Sequence, residues 1–165
     1  MNNDNTDNPG YTPKRLQWNA FLIASLIAGF VLMVVPRASP WSGLTFFAPV
    51  VMGRVLPEDV AMPIMTSKTL HLGLSLLYGL LISLAVSRIA QLWAVLTGAL
   101  VGLGLYAANL AVVSAAFPEL RGDETVVAFA HLFFGGIVGG AYRGLLRRRV
   151  NDLPSAPEEG HVEAR

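Results

Sequence analysis

The chain has 165 residues, of which 53% are hydrophobic and only 14% are charged, and its formal net charge is +1. A soluble globular protein carries about 25% charged residues, so this composition indicates a membrane protein. The small net charge excludes a nucleic-acid-binding surface. The sequence contains no cysteine, which excludes disulfides, thiolate catalysis and cysteine-bound zinc or iron–sulfur centres.

Both ends of the chain are polar. Residues 1–17 are rich in asparagine and interrupted by proline and glycine, and residues 147–165 pass from three arginines into an acidic stretch that contains proline. Neither segment can bury enough apolar surface to offset the entropy lost on ordering. We therefore predict a disordered tail at each end of a membrane domain that covers residues 18–146.

Four apolar runs lie between the tails, at residues 19–35, 69–87, 92–117 and 125–142. About 20 residues of helix cross a hydrocarbon core that is roughly 30 Å thick. The runs lack the polar face that a helix of a soluble bundle needs. The predicted fold class is therefore all-α, a four-transmembrane-helix bundle.

Basic residues flank the runs unevenly. With four crossings, Lys14, Arg15, Arg88 and Arg143 all fall on one side, followed by the cluster of Arg147, Arg148 and Arg149. Cytoplasmic loops carry the excess of lysine and arginine, so both termini are predicted to be cytoplasmic. The arginine cluster either binds anionic lipid headgroups or only sets the topology.

The first external connection, residues 36–67, contains an apolar, aromatic-rich segment that is too short to span a membrane. Its apolar residues are Trp41, Phe46, Phe47, Val50, Val51 and Val55, with Pro49 among them. Such a segment predicts an interfacial or re-entrant helix. Two roles are open for it, a lid that shields the helix ends or a gate over a cavity.

Two stretches repeat one pattern: "HLGLSLLYG" at residues 71–79 and "HLFFGGIVG" at residues 131–139. Upstream, Trp18, Ala24 and Gly29 match Trp93, Ala99 and Gly104 at the same offsets. One hypothesis is a parallel repeat of two helical hairpins. The other is chance matching of small residues in apolar helices.

Small residues recur every four positions along the second, third and fourth runs. In lipid, helices associate through van der Waals contacts that small side chains permit. The predicted packing residues are Ser75, Gly79, Ser83, Gly98, Gly102, Gly135 and Gly139.

The interiors of the runs contain no aspartate, glutamate or lysine, but they do contain His71, Asn109 and His131, with Tyr78 two turns after His71. Buried polar groups in hydrocarbon need partners. This candidate intramembrane site has three interpretations: hydrogen bonds between helices, contact with a small molecule or ion, and bis-histidine ligation of haem b or a metal. No catalytic triad can be assembled, so we predict no enzymatic activity and no required cofactor.

The chain resembles a group of small, functionally uncharacterised bacterial four-helix membrane proteins. Their shared patterns match His71, Leu74, Ser75, Leu77, Tyr78, Gly79, Leu105, Tyr106, Asn109, His131, Leu132, Phe134, Gly135, Tyr142 and Arg143. Some members carry a sodium:proline symporter label, but transporters of that kind have many more spans and broken helices. The resemblance supports the four-helix architecture and the choice of His71, Asn109 and His131 as site residues, and it implies no activity. The predicted location is the bacterial cytoplasmic (inner) membrane.

The sequence favours a non-enzymatic accessory or scaffolding subunit of that membrane, in contact with lipids and with a larger complex or further copies of itself. The first alternative is a small-molecule or ion transport protein that acts as an oligomer. The second is a haem b or metal-binding redox subunit.

Overall fold

The computed structural model describes residues 16–34, 49–56 and 62–151 of the chain. The predicted tails at residues 1–15 and 152–165 lie outside the described residues. So do Trp41, Phe46 and Phe47 of the first external connection.

The described chain is mainly helical, which confirms the all-α prediction. Helices α1 to α4 are Trp18–Val34, Ile64–Val86, Gln91–Ala116 and Glu124–Asn151, and a short 3-10 helix, Pro118–Leu120, joins the last two. Helix α4 continues beyond the predicted end of the fourth run at Tyr142, because Leu146 extends its buried face and arginine favours helix. Residues 147–151, predicted as the start of a tail, are therefore helical.

Three of these helices, α2, α3 and α4, are long and apolar enough to cross a membrane. Helix α1 is also apolar but has only 17 residues, fewer than the roughly 20 that usually span the hydrocarbon core. The chain therefore has the helices of a membrane protein.

Helix α4 lies at the centre of the bundle. Its Phe134, Val138 and Tyr142 are among the largest fully buried side chains, whereas α3 packs mainly against α4 and leaves most of its surface outside. At one end, Arg143 Nη1 donates to the carbonyl of Ser87 at 3.0 Å. We call this the arginine end and the opposite one the hairpin end.

A small β-hairpin occupies the hairpin end. Strands β1 (Val50–Val51) and β2 (Arg54–Val55) are antiparallel, and both turn residues have positive φ, 44° for Met52 and 83° for Gly53. Two positive φ angles match the twist of a tight hairpin, although a non-glycine residue there is strained by about 1–2 kcal/mol. The side chains of Val50, Met52, Arg54 and Leu56 are all buried.

Within residues 49–56 this hairpin stands where we predicted part of an interfacial or re-entrant helix, and the aromatic part of that segment lies outside the described residues. Val50, Val51 and Val55 lie in extended strands, not in an interfacial or re-entrant helix. Pro49 and Gly53 interrupt any helix through this stretch, and β-branched valines favour extended backbone.

Small residues bring the helices together in two pairs. Ser25 and Gly29 of α1 face Gly79 and Ser75 of α2, and Gly98 and Gly102 of α3 face Gly135 and Gly139 of α4. In the second pair, a Cβ atom added to Gly98 or Gly135 would collide with the other residue's backbone carbonyl. The α3–α4 contact is thus a contact of backbone with backbone.

Gly29 and Gly104, which the repeat hypothesis pairs, pack differently. Gly29 packs against Ser75, whereas nothing lies within 4 Å of a Cβ placed on Gly104. Gly102 faces α4 instead. Counted from Trp18 and Trp93, Gly29 and Gly104 occupy equivalent sequence positions. On α3, however, the glycine that faces the neighbouring helix is Gly102, two residues before Gly104.

Replacing Gly135 with alanine should push α3 away from α4, since the new methyl group meets the Gly98 carbonyl. We expect destabilisation of about 1–3 kcal/mol, as for other overpacked sites, measured as a lower unfolding midpoint in detergent. Gly104→Ala is the matched control, and there alanine should be neutral or slightly stabilising. Equal losses from both changes would contradict glycine-mediated packing of these helices.

Candidate functional site

His71 ties the hairpin to two helices. It is fully buried in α2; its Nδ1 accepts the Met52 backbone N–H at 3.1 Å, and its Nε2 lies 3.1 Å from the carbonyl oxygen of Gly29 in α1. Because Nδ1 is an acceptor, the proton of the neutral ring sits on Nε2 and is donated to Gly29. Both ring nitrogens therefore serve to hold the fold.

His131 lies in the centre of the bundle on α4. Its Nδ1 donates to the carbonyl of Val127, one turn earlier in the same helix, at 2.9 Å. The rings of Tyr78 and Tyr106 lie against it, with centroids at 6.0 Å and 5.8 Å. Tyr78, which we predicted near His71, thus contacts the other histidine.

The two histidines line one narrow cleft beneath the hairpin turn. Its other lining residues include Met52, Gly53 and Phe134, and no space in it admits a water molecule. Of the predicted site residues, His71 and His131 thus line one cleft. Asn109 lies elsewhere, beside Arg54.

Asn109 belongs to a clamp around Arg54, the arginine of strand β2. Arg54 is only 5% exposed; its Nη1 and Nη2 donate to the two carboxylate oxygens of Glu124 at 2.6 and 2.9 Å. Its Nε donates to Asn109 Oδ1 at 3.2 Å, and Nη1 also reaches the carbonyl of Leu120 at 3.5 Å. One guanidinium thus joins the hairpin to α3, the 3-10 helix and α4.

Local structure orients Glu124 for this role. It is the first residue of α4, and the preceding Asp123 caps the helix by accepting the backbone N–H groups of Thr125 and Val126 at 3.1 and 3.2 Å. Tyr106 donates its hydroxyl to Glu124 Oε2 at 3.3 Å. Tyr106 therefore touches both the clamp and His131.

Sequence reasoning missed Arg54, Glu124 and Tyr106. A single charge inside the apolar stretch "VVMGRVL" is a signal for a buried, paired group, and it could have identified Arg54. Tyr106 lies three residues before Asn109, so their side chains diverge by about 60° around α3. One turns to the histidine and the other to the arginine.

The other predicted residues are distributed as follows. Ser75 donates its hydroxyl to the carbonyl of His71 at 2.7 Å, and Ser83 is fully buried with no hydrogen-bond partner for its hydroxyl among the described residues. Arg147 and Arg148 are exposed at the arginine end, and the side chain of Arg149 is not described.

The geometry offers little for ligation chemistry. Binding a metal ion through His71 would break its bond to Met52 or to Gly29. Across residues 16–34, 49–56 and 62–151, no three histidine, aspartate or glutamate side chains lie close enough to share a metal ion. Polar groups here act on the protein's own backbone and side chains.

Comparison of the chain with protein-family models, with curated proteins and with solved structures found no match.

Arg54→Met should leave Glu124 without its charge partner. We expect a loss of about 3 kcal/mol in the free energy of unfolding, the lower end of the range for broken buried pairs because Glu124 is 21% exposed. Adding Glu124→Gln should recover part of it. The control is Arg121→Met, since Arg121 is an exposed arginine at the same end. If Arg121→Met costs as much as Arg54→Met, the clamp does not contribute to stability.

His71→Phe should release the hairpin, because Met52 loses its acceptor and a buried N–H left unpaired costs about 1–3 kcal/mol. The sequence has no cysteine, so Val50→Cys supplies a single buried thiol that reports the release by its alkylation rate. We expect faster alkylation in the His71→Phe background. Thr69→Val, which removes an exposed hydroxyl from the same helix, should leave the rate unchanged. If the alkylation rate in the His71→Phe background is as slow as in the Thr69→Val background, His71 does not anchor the turn.

Proposed function

We propose that the chain is a non-enzymatic integral protein of the bacterial cytoplasmic membrane that acts as an accessory or scaffolding subunit. The outward face of α3 carries this proposal. Trp93 and Leu100 are 62% and 69% exposed, and Gly104, Ala108, Ala111 and Ala115 continue the same face towards the hairpin end.

This face suits another helix better than it suits lipid. Small residues on a membrane helix allow a neighbouring backbone to approach closely, as Gly98 and Gly102 do on the inward side of α3. Open space surrounds Gly104. We infer that a transmembrane helix of a partner protein packs against α3 along this row.

The buried polar groups support a structural role. The two ring nitrogens of His71 and four N–H groups of Arg54 are bonded to other parts of the chain. A catalytic group needs a reacting partner, whereas these hold the hairpin in place. The hairpin would then be presented as a fixed surface to a partner.

The proposed orientation places the arginine end in the cytoplasm. Arg147 and Arg148 are exposed there, while Arg54 at the hairpin end is matched by Glu124. Positive charge is retained on the cytoplasmic side of membrane proteins. Both termini would lie inside, as the distribution of basic residues along the sequence predicts.

The two alternatives differ in support. An oligomeric transport protein would use the same α3 face, but against a second copy of the chain. A haem b or metal-binding redox subunit would need the His71 nitrogens that now bond to Met52 and Gly29.

Ala108→Leu should disrupt the complex, because it adds bulk where a partner helix would approach. We expect about a tenfold or greater loss of the larger species on native gels of mildly solubilised membranes, the effect of roughly 1.4 kcal/mol. Ala85→Leu makes the same change on the exposed side of α2 and is the control.

Ala108→Cys identifies the occupant, since it is the single cysteine of the chain. An oxidative adduct with another protein that Ala108→Leu also removes from the complex supports the accessory role, whereas a disulfide-linked dimer of the chain supports the oligomeric alternative. A chain that migrates only as a monomer would refute both.

A further inference from the structure

A second cavity, of about 120 Å³, lies between the hairpin, the start of α2 and the last third of α3. Its walls are largely apolar: Val51, Leu56, Met62, Leu70, Val113 and Leu120. Arg54 and Asn109 form its one polar wall.

The polar wall presents donors. Arg54 uses both N–H groups of Nη1, the one on Nε and one on Nη2, which leaves a second N–H on Nη2. Asn109 accepts through Oδ1, and its amide NH₂ makes no hydrogen bond to any described residue and is not sealed inside the protein. The cavity therefore offers hydrogen-bond donors to whatever enters it.

The charge of this wall is already balanced. Glu124 holds the guanidinium through both carboxylate oxygens. A free anion would have to compete with that carboxylate, whereas a neutral acceptor needs only the remaining N–H groups. The chemistry selects a carbonyl oxygen on an apolar body.

The position of the cavity indicates where such a molecule comes from. Leu70, on its rim, is 43% exposed. Asn109 lies seven residues, about 10 Å, before the end of α3, which in the membrane placement proposed above puts it in the outer part of the hydrocarbon core, near the ester groups of the lipids. An apolar cavity of about 150 Å³ holds one benzene ring, so this one has room for an ester group and a few methylenes.

We propose that this cavity binds a carbonyl group of a membrane-soluble amphiphile, most simply the acyl ester of a phospholipid, with Asn109 and Arg54 as donors. The inference rests on the membrane placement proposed above but not on a partner at α3. A quinone offers the same carbonyl chemistry from a free molecule, and the test separates the two sources.

The experiment compares two phospholipids that have the same headgroup and chain length, one with ester links and one with ether links, which lack the carbonyl. The full chain is exchanged into each, and retained lipid is counted by native mass spectrometry. We expect about fivefold preference for the ester lipid, the factor that one net hydrogen bond gives.

Two variants test the site itself. Asn109→Asp keeps an oxygen for Arg54 but removes the amide donors, so the ester preference should fall towards unity. The unfolding midpoint, measured alongside, reports the cost of the added carboxylate beside Glu124. Val113→Phe should fill the cavity and remove bound lipid of both kinds. Val112→Phe is its matched control, because Val112 is 60% exposed on the same helix.

A short-chain quinone is then added to the ester-lipid complex. If the quinone displaces the lipid from the wild-type protein and does not bind to the Asn109→Asp variant, the site is assigned to a free carbonyl compound. Equal retention of ester and ether lipid without quinone binding, or an ester preference that survives Asn109→Asp and Val113→Phe, would overturn the proposal. Neither result depends on complex formation through α3, so the two proposals fail independently.

Discussion

Pairing of buried polar groups is the constraint on which this structure depends. A hairpin inserted into the end of an apolar bundle brings backbone N–H groups and one guanidinium into surroundings that cannot solvate them. Unpaired, each would cost several kcal/mol in a medium without water. His71 pairs the turn and Glu124 pairs the arginine, so the hairpin is held by one neutral and one charged contact. The position of the hairpin then decides which cavities exist around it.

Close helix packing makes these contacts possible. The small-residue rows of α1 with α2 and of α3 with α4 bring each pair within backbone contact and leave His71 and His131 at the hairpin-end margins of those rows. A larger residue at Gly29 would meet Ser75 and move α1, whose Gly29 carbonyl is the partner of His71. The glycine contact therefore positions the carbonyl that accepts the hydrogen bond from His71.

The sequence predicted the helices and their packing faces well, because both depend on local patterns. Hydropathy alone located four apolar runs, and spacing by four residues found Gly98, Gly102, Gly135 and Gly139 on the faces that meet. The hairpin was not predicted, since Met52 at positive φ carries no turn signal of the kind that asparagine gives. The Arg54–Glu124 pair joins residues 70 positions apart, and no local pattern reports such a pair.

The position of a residue along a helix and the direction in which its side chain points are independent. This explains why the residues predicted as one site lie in two regions, the histidine cleft and the Arg54 clamp. The sequence placed His71, Asn109 and His131 in the interiors of the apolar runs, but it did not give the direction in which each side chain points from its helix. Tyr106 and Asn109 differ by three positions, enough to send one towards His131 and the other towards Arg54.

The division has a functional consequence. The histidine cleft is closed and its rings are committed to the fold, so exchange with a ligand would require the hairpin to leave. The cavity beside Asn109 is bounded by the same hairpin but has an exposed rim, so a molecule can enter it while both anchors stay intact. A fixed hairpin therefore closes one polar region and shapes the other, and that is the physical reason to seek a ligand at Asn109 and not between the histidines.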